Sequence, residues 1–213
     1  MNPSTRKALR RAALLVTAAL MALGLNIAQA KSVKKQNFVD LLAHTDTIVI
    51  GTVTGKTDGF QEGLPYTEVT VDVAQSVKGD HGETYTFRQF GLIEPKRTGD
   101  GRVNLMVTPA GWPTYAKGES VMLFLHAPAS QTGFQTTAGL NQGKFSVRQG
   151  QIANDLDNDA LFAGVTITAP LSTQQRDLVN QKGGAYQAEA FFALVRQVVE
   201  ENWIENGVMT NEN

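Results

Sequence analysis

The amino-acid sequence predicts a mostly β fold: a small barrel of five or more strands with an amphipathic α-helix at its C-terminal end. Two observations predict the strands, namely short runs rich in β-branched residues and the glycine and proline turns between them. The helix is predicted because apolar residues recur at three- and four-residue intervals over residues 185–203. We therefore expect one domain over residues 31–213, with a barrel core at 46–153 and a terminal helix at 185–205.

The first half of this domain alternates between predicted strands and turns. Asn37 is a suitable N-cap for a short helix over residues 38–44. The β-branched run at 47–53 predicts one strand, and the alternating run at 67–73 predicts a half-buried strand with its valines on one face. Residues 55–65, which hold three glycines and a proline, are expected to form a loop between these strands.

The second half contains a strand of a different kind. Residues 120–125 are continuously apolar, which predicts a strand buried on both faces. Further short strands are predicted at residues 84–88, 134–137, 144–148 and 151–153. Asn206 and Gly207 are expected to end the terminal helix, and the last few residues are expected to fray.

A secretory signal peptide is predicted at residues 1–30. Four basic residues precede an uncharged, mostly apolar run that ends in Ala28-Gln29-Ala30, with small residues at the positions that a signal peptidase recognises. The alternatives are an uncleaved anchor helix and a twin-arginine signal, for which Leu9 stands where Ser or Thr is preferred. The chain is therefore expected to be exported to the periplasm or secreted, without membrane insertion after cleavage.

Charge and cysteine content exclude several classes of function. The chain has 19 basic and 20 acidic residues, and the predicted signal holds four of the basic ones, so its removal leaves 15 against 20, a net charge of −5. An acidic chain is a poor ligand for nucleic acid or an anionic membrane. The absence of cysteine excludes disulfides, thiolate metal sites and cysteine nucleophiles.

A further set of motifs resembles a group of uncharacterised secreted bacterial proteins. The runs at residues 46–53 (DTIVIGTV) and 67–73 (TEVTVDV), with Lys78-Gly79, begin the pattern. It continues in residues 118–125 (GESVMLFL) and 139–147 (GLNQGKFSV). The first two runs are also similar to the N-terminal barrel of the tissue inhibitors of metalloproteinases.

This resemblance covers roughly residues 46–148 and implies an OB-like five-stranded barrel, but no catalytic residues. The inhibitors bind the zinc of the protease through an N-terminal cysteine, which this chain lacks. That mechanism therefore cannot be transferred to it.

Motifs for catalysis, metals or cofactors are weak. The three histidines have no helical metal-binding spacing, so no catalytic residue, metal ligand or cofactor is predicted. Asp155, Asp157 and Asp159 resemble the start of an EF-hand loop, but Ala160 and Thr166 occupy the required Gly and Glu positions. A weak calcium site at these three carboxylates and a polar turn are both left open.

Partner binding is the remaining prediction. Residues 91–118 form a long irregular segment with three prolines, and loops of this length are usually functional or mobile. Trp112 and Tyr115 in this segment, with Phe60 in the loop at 55–65, are the predicted binding residues, because aromatic side chains are favoured interface anchors. The alternative for Trp112 is a plug beneath the barrel.

Three functions follow from these expectations. The first is a non-enzymatic exported binding or accessory module that presents residues 55–65 and 91–118 to a protein, peptide or glycan. The second is an inhibitor or accessory factor of an exported protease. The third is an exported hydrolase with an unassigned site.

Overall fold

The computed structural model describes residues 35–97 and 99–212. The signal peptide predicted at residues 1–30 lies outside these ranges. Within them, no helix has the length and apolarity needed to cross a membrane.

The described chain is mostly β, with short helices at its two ends. The strands are β1 (Thr47–Gln61), β2 (Leu64–Lys78), β3 (Thr84–Phe90), β4 (Lys96–Arg97), β5 (Val103–Asn104), β6 (Ser120–Leu125), β7 (Lys144–Arg148), β8 (Gln151–Asn154), β9 (Val165–Ile167), β10 (Tyr186–Gln187) and β11 (Met209–Asn211). The helices are α1 (Phe38–Ala43), α2 (Thr173–Asn180) and α3 (Ala188–Glu200), with a 3₁₀ turn at Leu140–Gln142.

Seven of these strands form one large antiparallel sheet. Their order is β10-β8-β7-β6-β1-β2-β3, and β4/β5 and β9/β11 form two separate two-stranded sheets. Strands β10 and β3 are the edges of the large sheet, so within the described residues it does not close into a barrel. The mostly β prediction is confirmed, whereas a closed five-stranded barrel is not observed.

The first two strands form a long β-hairpin where the sequence predicted a loop at residues 55–65. Glu62 and Gly63 both have positive φ, 51° and 80°, which suits a tight hairpin turn. Gly55 and Gly59 remain within β1 and pair with Thr70 and Tyr66. The glycines therefore allow strand irregularities rather than ending the strand. We refer to residues 55–65 as the hairpin.

Both faces of the large sheet are covered. Ile48 and Val49 are adjacent on β1 and belong to separate buried clusters, as expected for side chains that alternate between faces. Helices α1 and α3 pack on the Ile48 face, where ring centroids of Phe145 and Phe191 lie 5.1 Å apart. Strand β6 contributes to both clusters, which confirms its prediction as a strand buried on both faces.

The predictions for helices α1 and α3 are closer to the structure than the prediction for the C-terminal tail. Asn37 caps α1 by accepting a hydrogen bond from the Asp40 backbone N–H, as predicted. Helix α3 is confirmed but ends at Glu200, before the predicted stop at Asn206. The prediction that the tail frays is wrong, because β11 pairs with β9 and buries Met209.

Residues 134–137 do not form the predicted strand. Thr137 makes a single bridge to Leu125, and the Gln135 backbone N–H donates to the Arg88 carbonyl at 2.7 Å. This segment therefore makes a backbone contact with β6 on one side and with β3 on the other. It lacks the repeated ladder that defines a strand.

Candidate functional site

Exposed large apolar side chains are concentrated on two segments of the chain. Of the eight in the described residues, seven lie on the hairpin or between residues 93 and 107, and Leu105 is 71% exposed. We call this set the apolar surface: Phe60, Leu64, Ile93, Val103, Leu105, Met106 and Val107. Exposed apolar groups on neighbouring segments commonly mark a site of interaction. Leu64 is paired with Gln61 in the hairpin register and therefore projects from the hairpin face opposite to Phe60. The eighth residue, Leu156, lies elsewhere in the sequence and is 37% exposed.

Asp58 connects the two segments. Its carboxylate accepts a hydrogen bond from the Ile93 backbone N–H at 2.9 Å and forms an ion pair with Lys96. Burial alone would raise the pKa of Asp58, but the hydrogen bonds from Lys96 and Ile93 outweigh it and leave the pKa below its usual value. The carboxylate therefore stays ionised and fixes the hairpin beside residue 93.

The second segment is held in place by its own backbone. Leu92 donates its N–H to the Met106 carbonyl, and Thr108 donates to the Leu92 carbonyl, both at 2.9 Å. Gly91 has φ of 104°, and a Cβ atom there would lie 2.5 Å from the Thr108 Cα. Only glycine allows this close approach. The apolar side chains of residues 105–107 are thus presented from an anchored segment.

A cavity of about 210 Å³ opens beside the apolar surface. Its lining consists of Lys56, Thr67, Gln89, Ile93, Val107, Thr108, Thr114 and Tyr115. Thr67 and Gln89 are paired across β2 and β3 and are almost fully buried, unlike most polar residues. Two lining residues, Ile93 and Val107, also belong to the apolar surface, so the cavity and this surface are continuous.

Gln89 has one satisfied and one unsatisfied amide atom. Its Nε2 donates to the Pro113 carbonyl at 2.9 Å, which fixes the orientation of the amide. Its Oε1 is buried and has no hydrogen-bond partner among the described residues. Buried polar atoms are nearly always paired, and this oxygen is an exception that the cavity does not reach, because it has almost no accessible surface.

The three predicted binding residues occupy different environments. Phe60 is exposed on the hairpin and belongs to the apolar surface. Trp112 is half-buried, with its ring centroid 6.4 Å from that of Phe90. Tyr115 is only 2% exposed and packs on Phe87 in the sheet core, so it cannot be part of an exposed binding surface. Nothing in the sequence around Tyr115, which lies among prolines and glycines, predicts whether its side chain is exposed or buried.

A buried ion pair supports the end of residues 91–118. Glu119 accepts hydrogen bonds from Lys144 Nζ at 2.6 Å, from Ser146 Oγ at 2.7 Å and from the Ala116 N–H at 3.1 Å. The Lys144 and Glu119 side chains are 6% and 14% exposed. Burial raises the pKa of Glu119, but these hydrogen bonds outweigh it, so the pKa is lowered overall. The pair joins the segment before β6 to β7.

The described residues contain no group of three or more His, Asp or Glu side chains arranged to hold a metal ion. Asp159, one of the three carboxylates in the weak calcium prediction, instead pairs with Lys35. Asp157 and Asn158 both have positive φ, which is typical of a polar turn. The turn alternative for residues 155–159 therefore agrees with the observed geometry.

Sequence reasoning missed Asp58 and Gln89 as site residues. The position of Gln89 could have been found from the alternation of its strand. Thr67 and Gln89 are polar residues at positions of β2 and β3 whose side chains point toward the core. No comparable signal existed for Asp58, whose partners lie thirty-five or more residues further along the chain.

Comparison with known proteins gives no relative. No family model matches the chain, and neither the curated proteins nor the solved structures contain a significant match.

Proposed function

We propose that this chain is an exported, non-enzymatic binding module that presents the hairpin and residues 91–118 to a partner protein. The main supporting observation is that seven of the eight exposed large apolar side chains in the described residues lie on these two segments. Asp58 holds the segments together, so the surface is organised before a partner arrives. Preorganisation of this kind reduces the entropy lost on binding.

The chemistry of the apolar surface favours a polypeptide among the three partner classes expected from the sequence. Six of its seven side chains are aliphatic or methionine, and Met106 can adapt to different apolar partners. Sugar rings are usually recognised by several planar aromatic rings with polar neighbours, whereas Phe60 is the only aromatic member of this set. An apolar segment of a protein is the complementary ligand.

The fold proposal is that β1, β2, β3 and β6 form a barrel of the OB-like kind, completed by residues 134–137. It is supported by the hydrogen bond from the Gln135 N–H to Arg88 and by the bridge between Thr137 and Leu125. An experimental structure with a continuous ladder between residues 134–137 and β3 would support this proposal, and an open gap would reject it.

The export proposal rests on residues 1–30 of the sequence. Expression of the full chain in a bacterial host, followed by N-terminal sequencing of the protein in each fraction, tests it. We expect a mature form that begins at Lys31 in the periplasm or medium. A full-length chain retained in the cytoplasm would contradict the proposal.

The binding proposal is tested by affinity capture with a matched control. The chain purified after full-length expression is immobilised and exposed to periplasmic and culture fractions of its host. A Leu105→Ser, Met106→Ser variant removes two exposed apolar groups, and Leu156→Ser removes one outside the apolar surface. We expect a partner that binds the native chain and the Leu156 variant but not the double variant, and that binds again as a purified protein.

Equal retention by all three forms would contradict the proposal, as would no retention by the native chain. Circular dichroism and urea unfolding of each form establish that a loss of binding is not a loss of folding. Exposed apolar positions usually tolerate such replacements.

A further inference from the structure

We propose that the cavity beside the apolar surface receives one branched aliphatic side chain of the partner polypeptide, a leucine or isoleucine, with an acidic residue next to it in the partner. This inference rests on the proposed function, because it assigns the residue that the partner inserts. It concerns a separate part of the site, since most of the cavity lining lies outside the apolar surface.

The size of the cavity limits what it can hold. Sites for complete small-molecule ligands usually measure about 300–1,000 Å³, whereas this cavity measures about 210 Å³. It is therefore suited to a single side chain rather than to a free cofactor or metabolite. Ile93 and Val107 lie both in its lining and on the exposed apolar surface, which places the entrance beside the proposed partner.

The polar groups of the inner lining are already used within the chain. The Thr67 hydroxyl donates to the Gly91 carbonyl at 2.7 Å, and the Thr108 hydroxyl donates to the Leu92 carbonyl at 3.3 Å. Gln89 is 1% exposed, and its unpaired oxygen does not reach the cavity. A polar guest would therefore lose its water and gain no new hydrogen bond from these groups.

The accessible wall is aliphatic. Ile93 and Val107 are 42% and 38% exposed, so their side chains are available for contact from the cavity. A branched aliphatic guest can contact both of them at once, and it carries no polar atom that would need a partner. The Thr114 hydroxyl does not oppose this guest, because Thr114 is exposed and its hydroxyl can keep its contact with water.

Lys56 gives the cavity an unmatched positive charge. It is an exposed lining residue, and no carboxylate of the described residues forms an ion pair with it. Asp58, two positions further along the same strand, is already paired with Lys96. No carboxylate lines the cavity. This charge favours a partner with an acidic residue beside the inserted side chain.

The experiment uses three small probes of similar length. Isocaproate has a branched aliphatic end and a carboxylate, succinamate has a carboxamide of the same shape in place of the branched end, and isohexylammonium has a cation in place of the carboxylate. Each is titrated into the isotope-labelled chain, and NMR follows the methyl groups of Ile93 and Val107 and the backbone amides of Thr108 and Thr114.

We expect saturable shifts with isocaproate and at least about tenfold weaker binding of succinamate, which buries a polar group without a partner. Isohexylammonium should bind about two- to fivefold more weakly than isocaproate, as expected for an exposed charge pair. Succinamate or isohexylammonium binding as tightly as isocaproate would overturn the proposal, as would no saturation with any probe.

Three variants locate the binding. Val107→Thr keeps the shape of the side chain and replaces a methyl group by a hydroxyl group, so isocaproate should bind about three- to tenfold more weakly. Lys56→Glu, at an exposed position, should make isohexylammonium the tighter ligand. Lys182→Glu makes the same change of net charge outside this lining and should leave the preference for isocaproate unchanged. Undiminished binding to Val107→Thr, or equal effects of the two lysine variants, would contradict the assignment.

This test and the capture experiment can fail separately. Capture that depends on Leu105 and Met106 without isocaproate binding would leave the binding module intact and reject the assigned side chain. Isocaproate binding without a captured partner would retain the cavity site and reject the proposed function.

Discussion

Asp58 accepts a hydrogen bond at 2.9 Å from the backbone N–H of Ile93, a residue thirty-five positions further along the chain. The same carboxylate pairs with Lys96. One side chain on the hairpin thus holds the start of the second segment of the apolar surface, at Ile93. The structure achieves this with a largely buried carboxylate rather than with a hydrophobic contact.

Replacement of Asp58 by Ala should loosen this contact without unfolding the sheet. The Ile93 N–H loses its acceptor, and Lys96 keeps only its hydrogen bond to the backbone carbonyl of residue 58. Hydrogen exchange at Ile93 should therefore accelerate by about tenfold or more. The free energy of unfolding should fall by only about 1–2 kcal/mol. NMR-detected exchange and urea unfolding measure the two effects. Asp58→Asn is the control, because its side-chain oxygen can still accept from Ile93; unchanged exchange in Asp58→Ala would show that the bond does not hold the segment.

Replacing one member of the Glu119–Lys144 pair should destabilise the fold more than replacing both. Glu119→Ala leaves Lys144 buried without its counter-charge, so we expect a loss of about 3–5 kcal/mol in the free energy of unfolding. The double variant Glu119→Met, Lys144→Met should lie within about 2 kcal/mol of the native chain. Urea unfolding measures both values.

The exposed pair of Lys35 and Asp159 is the matched comparison for that experiment. Both side chains are more than half exposed, and Asp159→Ala should cost no more than about 1 kcal/mol. If Asp159→Ala and Glu119→Ala lowered the free energy of unfolding equally, burial of the Glu119–Lys144 pair would have no energetic consequence.

Acid should weaken the fold through Glu119. Because its pKa is lower in the folded chain than the ordinary value of 4.5, the folded state favours the ionised form. Its contribution to stability is therefore fully present above pH 4.5 and is lost as the pH falls through the folded pKa. Urea unfolding between about pH 7 and about pH 3 should show a smaller decrease for Glu119→Gln than for the native chain. Parallel pH curves for the two proteins would exclude Glu119 as a source of acid sensitivity.

The two tryptophans should differ in their access to a fluorescence quencher. Trp203 is 1% exposed and donates its Nε1–H to Glu201 at 2.7 Å, whereas Trp112 is half-buried in the 91–118 segment. Acrylamide should quench the Trp112→Phe variant several-fold less than the Trp203→Phe variant. Similar quenching of both variants would show that Trp112 is enclosed, as a plug would be.

Elements whose own residues form a strong hydrophobic pattern could be predicted from the sequence. The continuous apolar run of β6, the alternation of β2 and the periodicity of α3 each specify which faces are buried. The Asn37 cap was also readable from its position before an apolar turn. Helix α2 is not among the predicted elements, although Ser172 and Gln175 form a complete capping box at its start.

The remaining features depend on contacts between distant residues. Strand β1 extends to Gln61 because it pairs with β2 along its length. This pairing outweighs the low strand propensity of the glycines in residues 55–65. Strand β11 exists because β9 provides its partner. The burial of Tyr115 and the exposure of Leu105 are decided by how residues 91–118 fold back on Leu92, which no local pattern specifies.

The measurement that tests the central claim most directly is site-specific photocrosslinking in the expressing host. A photoreactive phenylalanine analogue replaces Leu105 on the apolar surface or, in a separate strain, Leu156 outside it, and crosslinked products are identified by mass spectrometry. The account predicts one discrete protein adduct from position 105, mapped to an apolar segment of that partner, and none from position 156. Adducts that are equal at both positions, or absent from position 105, would contradict the claim that this surface is the binding site.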